Sequence, residues 1–274
     1  MGFFGRKRAP SVPHPRKEPR FDGPLTLERL EQIFQDCVDF TKRPVSLGEG
    51  GACTLTLCYL SGMVKMERVS DYVLRPLAQD EALARCGTPR QAMDRMKDGA
   101  LYNLSAEERT RLDAAVFDLV NGCCLLLFPG ESSVLSLNVG TEEKRSISSP
   151  SNETVLKGSR DAFVESLRTN TSIVRRHLKA PELRIREQVV GRQSVTSVDI
   201  LYIEGLTNPH LVEQVAAQLA DIDIDAVLAT GNIEEYIVPA ARTAFPLVQY
   251  TERSDRFCAG LAEGRVGILI DGLP

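Results

Sequence analysis

The feature that most limits how this chain can fold is a match with itself at a spacing of 143 residues. Residues 198–206, VDILYIEGL, read as a buried strand running into a turn. Thr207-Asn208-Pro209 then opens a helix through Leu211, Val212 and Val215. Residues 55–63 are a weaker copy. Tyr59 and Tyr202, Gly62 and Gly205, Gly48 and Gly191, Val69 and Val212, and Leu126 and Leu269 all stand 143 apart. One offset that runs from a hairpin turn to the last strand without a gap implies duplication of a single unit. The expected fold is α/β: two similar lobes, each a small mixed sheet of about four strands packed with helices. The strand at 134–139 is an extra of the first lobe, with no copy in the second.

Two lobes suit 274 residues, and a hydrophobic content of 43% supplies a core for each. The net charge of −4 and the 6% aromatic content argue against nucleic acid as a partner. The longest fully apolar run is 123–128, far short of the roughly 20 residues a membrane span needs. No apolar segment follows Met1 before Arg6-Lys7-Arg8, so no secretory signal is read there. Seven cysteines without a C-x-x-C spacing read as free thiols in a reducing compartment, with no metal site.

Residues 1–23 read as a disordered, basic, Pro-rich tail, and residues 24–140 as the first lobe. The polar stretch 141–158 reads as a linker, and 159–274 as the second lobe. A sharper reading of the tail is contact with an anionic membrane face, with Phe3 and Phe4 as a small apolar foot. Within the first lobe, Thr26 is placed to cap a helix, and glycines 48, 50 and 51 to turn a hairpin. Ser105-Ala106-Glu107-Glu108 predicts a capping box that starts a helix to Val120. Residues 123–128 read as a central strand covered on both faces, and 134–139 as an edge or one-sided strand. In the second lobe the pattern predicts helices at 159–178, 209–220 and 253–262. It predicts strands at 183–190, 194–203, 247–251 and 266–270.

Catalytic motifs are missing. The carboxylate pairs fall in helix starts or linkers, where acids suit the helix dipole. His14, His177 and His210 have no Ser or Cys that the sequence places beside them. The glycines at 48–51 sit in a hairpin and lack the Lys-Ser/Thr ending of a phosphate loop. Asp221, Asp223 and Asp225 alternate with isoleucines and lack the closing Glu of a calcium loop. The reading is therefore no enzyme, no cofactor and no metal. Three polar clusters remain as candidate ligand or partner surface: Arg168 with Asn170, Glu204 with Asn208, and Thr251-Glu252-Arg253. Capping and lobe-to-lobe ion pairing are the plain alternatives for each.

These clusters lie in stretches that resemble a known family. Leu167-Arg168-Thr169-Asn170 with Arg175-Arg176, Val190-Gly191-Arg192, and Leu201-Tyr202-Ile203-Glu204-Gly205-Leu206-Thr207-Asn208-Pro209 carry the likeness. So do Ile222-Asp223-Ile224-Asp225, Val248-Gln249-Tyr250-Thr251-Glu252-Arg253 and Glu263-Gly264-Arg265-Val266-Gly267-Ile268-Leu269-Ile270-Asp271-Gly272. The chain resembles the N-terminal soluble domain of a GerA-type spore-germination receptor A subunit, from about residue 24 to 274. The resemblance is strong in the second lobe and looser in the first. It implies a part in nutrient-triggered germination, through assembly or signal transmission to a membrane ion-conducting part. The implied partners are B and C receptor subunits, with self-association into a homo-oligomer also compatible. The implied location is the spore inner membrane, reached through a C-terminal region, with this domain soluble on the cytoplasmic side. The basic tail agrees with that side. Two alternatives stay open: a module binding a small amino acid or sugar in the inter-lobe cleft, and an A-subunit-like accessory protein of the spore membrane.

Overall fold

The computed structural model describes residues 21–47, 53–101, 106–140, 161–227, 229–238 and 247–273. Most of the tail, the glycine turn at 48–51, Ser105 and the linker at 141–158 therefore lie outside the described residues.

The first lobe is a five-stranded sheet. Its strands are β1 (Phe40–Ser46), β2 (Thr54–Leu60), β3 (Ala106–Arg109), β4 (Cys123–Leu127) and β5 (Val134–Asn138), in the order β1-β2-β4-β5-β3. Helix α1 (Leu27–Ile33) begins at Thr26, whose hydroxyl accepts from the Arg29 amide at 3.3 Å. After β2 come α2 (Met66–Val69), a π-helical turn, α3 (Arg75–Gln79), α4 (Glu81–Ala84) and α5 (Pro89–Arg95); α6 (Leu112–Val120) precedes β4. Strand β4 lies between β2 and β5. It is apolar throughout because Cys124 and Leu126 enter one core layer while Leu125 enters the other.

The second lobe repeats the path with fewer strands. Helix α7 (Leu167–His177) leads into β6 (Leu183–Val190) and β7 (Thr196–Ile203). Then come α8 (Pro209–Ala220), α9 (Gly231–Ile237), α10 (Ser254–Ala262) and β8 (Gly267–Ile270), with sheet order β6-β7-β8. The two α/β lobes of the expected fold are present. Among the described residues their sheets hold five and three strands rather than about four each, and every pairing inside them is antiparallel rather than mixed.

Register gives the repeat a physical test. Phe40 pairs with Leu60, and Leu183 with Ile203, each residue 143 beyond its counterpart. The Ser61 amide donates to the Asp39 carbonyl at 2.9 Å, and Glu204 to Glu182 at 2.9 Å, again 143 apart. At the last helix and strand the spacing becomes 142. Cys58 pairs with Leu125, whereas Leu201 pairs with Gly267. Gly122 and Gly264, which follow α6 and α10, both have φ 87°. Leu126 is thus the counterpart of Ile268, not of Leu269. The unbroken offset is corrected to one that loses a residue between α8 and α10.

Other expectations change too. Residues 106–109 form β3 rather than a helix start. The Glu108 carboxylate takes Arg90, Lys97 and the Ser133 hydroxyl, each at 2.7 Å, which a strand along β5 permits. Strand β5 is consequently an inner strand, and Ser136 on it is buried. Helix α7 starts at Leu167, after an irregular strap at 161–166. Residues 247–251 form no strand, and Gln249 and Tyr250 instead bond through their side chains to Arg265 and Glu234.

Candidate functional site

Helix α7 carries two stripes that serve different lobes. Leu167, Asn170, Thr171 and Val174 recur at helical spacing and face the second-lobe sheet. Ser172 and Arg175 form the adjacent stripe and face the first lobe, while Arg168 reaches Glu187 on β6 and lines the cavity between the lobes.

Arg175 is 1% exposed. Its Nε and Nη2 donate to the two carboxylate oxygens of Asp39, both at 2.8 Å. This is the fork-to-carboxylate geometry that gives the strongest charge-assisted pairs. Burial works against the guanidinium charge, but Asp39 outweighs it and raises the Arg175 pKa. Ser172 sits where the chain leaves β2: a methyl group on Gly62 would lie 2.1 Å from its Oγ and 3.0 Å from its Cβ. Glycine at 62 therefore lets α7 approach the first lobe. Arg184, on β6, is also buried. It donates through Nη1 to the carbonyl of Ile33, the last residue of α1, at 2.6 Å, and through Nη2 it pairs with Glu204. Backbone bonds join the lobes as well. Val38 donates to Ile185 and Ile185 to Asp36, each at 3.0 Å, so residues 36–38 lie along the free edge of β6.

A cavity of about 250 Å³ remains between Asp39, Ser61 and Gly62 of the first lobe and Arg168, Ser172 and Arg175 of α7. Arg168 pairs with Glu187 and stands 3.6 Å from Asp199. Asp199, on β7, is fully buried. Its Oδ2 lies 3.0 Å from the Thr171 hydroxyl, and its Oδ1 has no hydrogen-bond partner among the described residues. Burial pushes the Asp199 carboxyl up to about 6, against the pull of Thr171 and Arg168 and with help from Glu187 and Asp39. Burial also works against Glu187, but Arg168 and Ser197 outweigh it and hold that carboxyl below its ordinary value.

The residues singled out in the sequence fall in several places. Arg168 lines the cavity. Asn170 is buried and exchanges two hydrogen bonds with Val164, at 2.8 and 2.6 Å, which ties the strap to α7. Glu204 holds Arg184. Asn208 caps α8 by accepting from the His210 amide at 3.0 Å. Thr251 accepts from the Arg253 amide at 3.1 Å, Arg253 pairs with Asp255, and the Glu252 carbonyl accepts from Phe163 at 2.8 Å. The third cluster thus meets the strap that Asn170 holds, while Glu204 and Asn208 stand at the far end of β7. Asp39, Arg175, Arg184 and Asp199 are not among the candidate site residues of the sequence, although Arg175 stands in a stretch that carries the family likeness. Asp199 carried a readable signal, as the one acid inside the apolar run 198–203.

No group of three or more His, Cys, Asp or Glu among the described residues is arranged to hold a metal. No helix among them is long and apolar enough to cross a membrane.

Comparison with known proteins places this arrangement. Residues 28–274 match the family model described as Bacillus/Clostridium GerA spore germination protein. Spore germination protein KA of Bacillus subtilis is 32% identical over 86% of this chain and 43% of its own length. Stage V sporulation protein AF of the same organism is 32% identical over 80% of this chain and 44% of its own length. A Bacillus subtilis membrane protein of uncharacterised role, YfkQ, is 34% identical over 90% of this chain and 47% of its own length. The chain therefore spans about half the length of these relatives. Among solved structures, the N-terminal domain of the A subunit of the Bacillus megaterium spore germinant receptor GerK3 superposes with a TM-score of 0.69. It is 27% identical and covers 90% of this chain and 89% of that one.

Proposed function

The chain belongs to the GerA family of spore germination proteins, and from that premise we propose that it is the N-terminal domain of a receptor A subunit acting in nutrient-triggered germination. In this reading the domain assembles with B- and C-type subunits at the spore inner membrane. It passes a signal to a membrane-embedded part rather than catalysing a reaction. The observation that carries the reading is the buried Asp39–Arg175 pair. With Arg184 on the end of α1, it makes the two lobes one mechanical unit. A domain built to relay displacement needs such a join, since loosely tethered lobes move independently. The test is germination of spores whose full-length protein carries Arg175→Met or Asp39→Asn. A slowed loss of optical density on nutrient addition, at normal protein level, supports the relay. Wild-type kinetics would remove it.

A second reading has its own observation. The inter-lobe cavity of about 250 Å³ sets Arg168 beside serine and threonine hydroxyls, with the Asp39–Arg175 pair in its wall, and these polar groups suit a small amino acid or a sugar. Calorimetric or NMR titration of the domain with amino acids and sugars separates the two readings. The ligand module requires shifts at Gly62 and Ser172 that saturate, and it fails if none appear. An A-subunit-like accessory role at the spore membrane is the third option. Germination of a deletion strain decides it: a receptor subunit abolishes the response to its own nutrient, whereas an accessory protein slows the response to several.

A further inference from the structure

Strand β8 ends the second-lobe sheet. Strand β7 lies on one side of it, and no described residue pairs with the other. In the first lobe the same edge is filled. Strand β4 has β2 on one side and β5 on the other. The 142-residue spacing that relates β4 to β8 continues beyond both strands. Gly130 and Gly272 stand 142 apart with φ 76° and 80°. The Glu131 amide donates to the Phe128 carbonyl at 3.2 Å, and the Leu273 amide to the Ile270 carbonyl at 3.4 Å, again 142 apart. A non-glycine residue rarely adopts this backbone, so a shared left-handed glycine with the same bond is a shared turn. In the first lobe that turn reverses the chain so that Val134–Asn138 runs back along β4. The second turn is fixed in place too: the Gly272 amide donates to the Glu165 carbonyl at 2.8 Å, and the Asp271 carboxylate accepts from the Leu167 amide at 3.1 Å.

We infer that the outer edge of β8 takes one more strand, supplied by the polypeptide that follows position 274, in the place β5 holds beside β4. The strand occupies positions 276–280, which stand 142 beyond β5, and it runs antiparallel to β8. The family relatives supply the length for it, because this chain spans only about half of each. An unpaired edge is a liability that proteins cover, and a three-stranded sheet is near the lower limit for independent stability. The strand also bears on signalling. It would join the second-lobe sheet to the segment that follows by a continuous hydrogen-bonded ladder. The inference rests on the repeat and on the length of the relatives, not on the proposed role, so its failure leaves the family role and the lobe pairing untouched.

The test compares the chain ending at 274 with the same chain extended by its own next dozen residues. The outward-facing amides of β8 are expected to exchange hydrogen about tenfold more slowly in the extended chain, while β2 is unchanged. Equal exchange rates overturn the inference. So does protection that already exists in the shorter chain, whether it rises with concentration, which assigns the edge to a second copy, or does not, which assigns it to another segment of this chain. A second measurement fixes the register. Ile268→Cys paired with a cysteine at position 277, the counterparts of the facing Leu126 and Leu135, is expected to close an intrachain disulfide in the full-length protein. A cysteine at 276 is not. Closure at 276 instead, or only between molecules, overturns the placement.

Discussion

The two lobes follow one path but bury different chemistry. The first lobe packs both faces of its five-stranded sheet with apolar layers, and α1 lies over one face with Leu30, Ile33 and Phe34. The second lobe has three strands, and its corresponding helix α7 buries Asn170, Thr171, Ser172 and Arg175. At the position where β2 has Thr56, β7 has the fully buried Asp199. The smaller lobe also draws on its neighbour: residues 36–38 extend its sheet, and two of its arginines find partners across the boundary. The difference teaches that duplication preserved the backbone while the second copy spent its core positions on contact with the first. The first lobe is therefore expected to be the more self-sufficient, and the second to depend on the join.

The largest expected effect comes from cutting that join on one side only. Arg175→Ala or Asp39→Ala leaves a buried charge without its partner, and the expected loss is about 3–5 kcal/mol by denaturant unfolding. The double change Asp39→Leu with Arg175→Met removes both charges and should recover most of it, because an apolar pair of similar volume is often neutral. If the single changes cost less than about 1 kcal/mol, in the range of a surface ion pair, the pair does not hold the lobes and the dependence of the second lobe is lost with it. Segment-resolved hydrogen exchange sharpens the point: β6 and β7 should lose protection before β2 and β4.

The glycines at the matched turns offer the next break. A methyl group on Gly62 meets Ser172 at 2.1 Å and forces α7 away from the first lobe, at an expected cost of about 2–3 kcal/mol. Gly205, its counterpart, has φ 76° and open space around it, so Gly205→Ala should cost only about 1 kcal/mol of backbone strain. Equal costs at the two sites would show that packing between the lobes contributes little.

Much of this was legible in the sequence, and the limits have physical causes. The path of each lobe was readable because strands 183–190 and 198–203 and the helix at 209–220 carry strong periodicity, and glycines mark the turns. The missing residue between α8 and α10 was not readable, because residues 266–270 are apolar at either spacing and only strand register separates them. Glu107 and Glu108 read as a helix start because acids suit that position; Glu107 in fact pairs with Arg109 on the same strand, and the partners of Glu108, Arg90, Lys97 and Ser133, come from other elements. The inter-lobe pair was hidden for the same reason. Asp39 and Arg175 are 136 residues apart, and nothing local marks either. Asn208 was readable because an N-cap bonds within two residues.

Titration separates the lobes by sign. Asp199 is pushed up to about 6 from an ordinary 3.8. Between those values the folded chain holds a proton that the unfolded chain releases. Stability from this group therefore falls as pH rises from about 4 to about 6, by an expected 3 kcal/mol or so, and stays lost above that. Asp199→Asn should flatten this slope and raise stability at pH 7. In the first lobe, Glu108 is held down at about 2 by Arg90, Lys97 and Ser133. Its contribution is present above the ordinary carboxylate value and is lost as pH falls toward 2. Protection relative to the intrinsic exchange rate at each pH, read lobe by lobe, should therefore move in opposite directions between pH 7 and pH 3. Parallel profiles would mean that the two acids do not differ as their surroundings require.

The smallest expected effect concerns the helices that follow the matched strands. Asn208 caps α8 with its side chain, while Lys65, at the same place before α2, makes no side-chain cap bond. Asn208→Ala should cost about 1 kcal/mol, and Asn208→Gly only a few tenths, because glycine tolerates the cap backbone and leaves the amides open to water. The loss should appear as faster exchange in the first turn of α8, with α2 unaffected. Asn208 also lies in the turn where the second lobe most resembles its family. If Asn208→Ala leaves the stability of α8 unchanged yet slows germination of spores carrying the full-length protein, the residue serves a partner surface rather than the helix. If stability and germination fall together in proportion, and Asn208→Gly restores both, capping accounts for it, and the likeness of that turn to the family reflects folding alone.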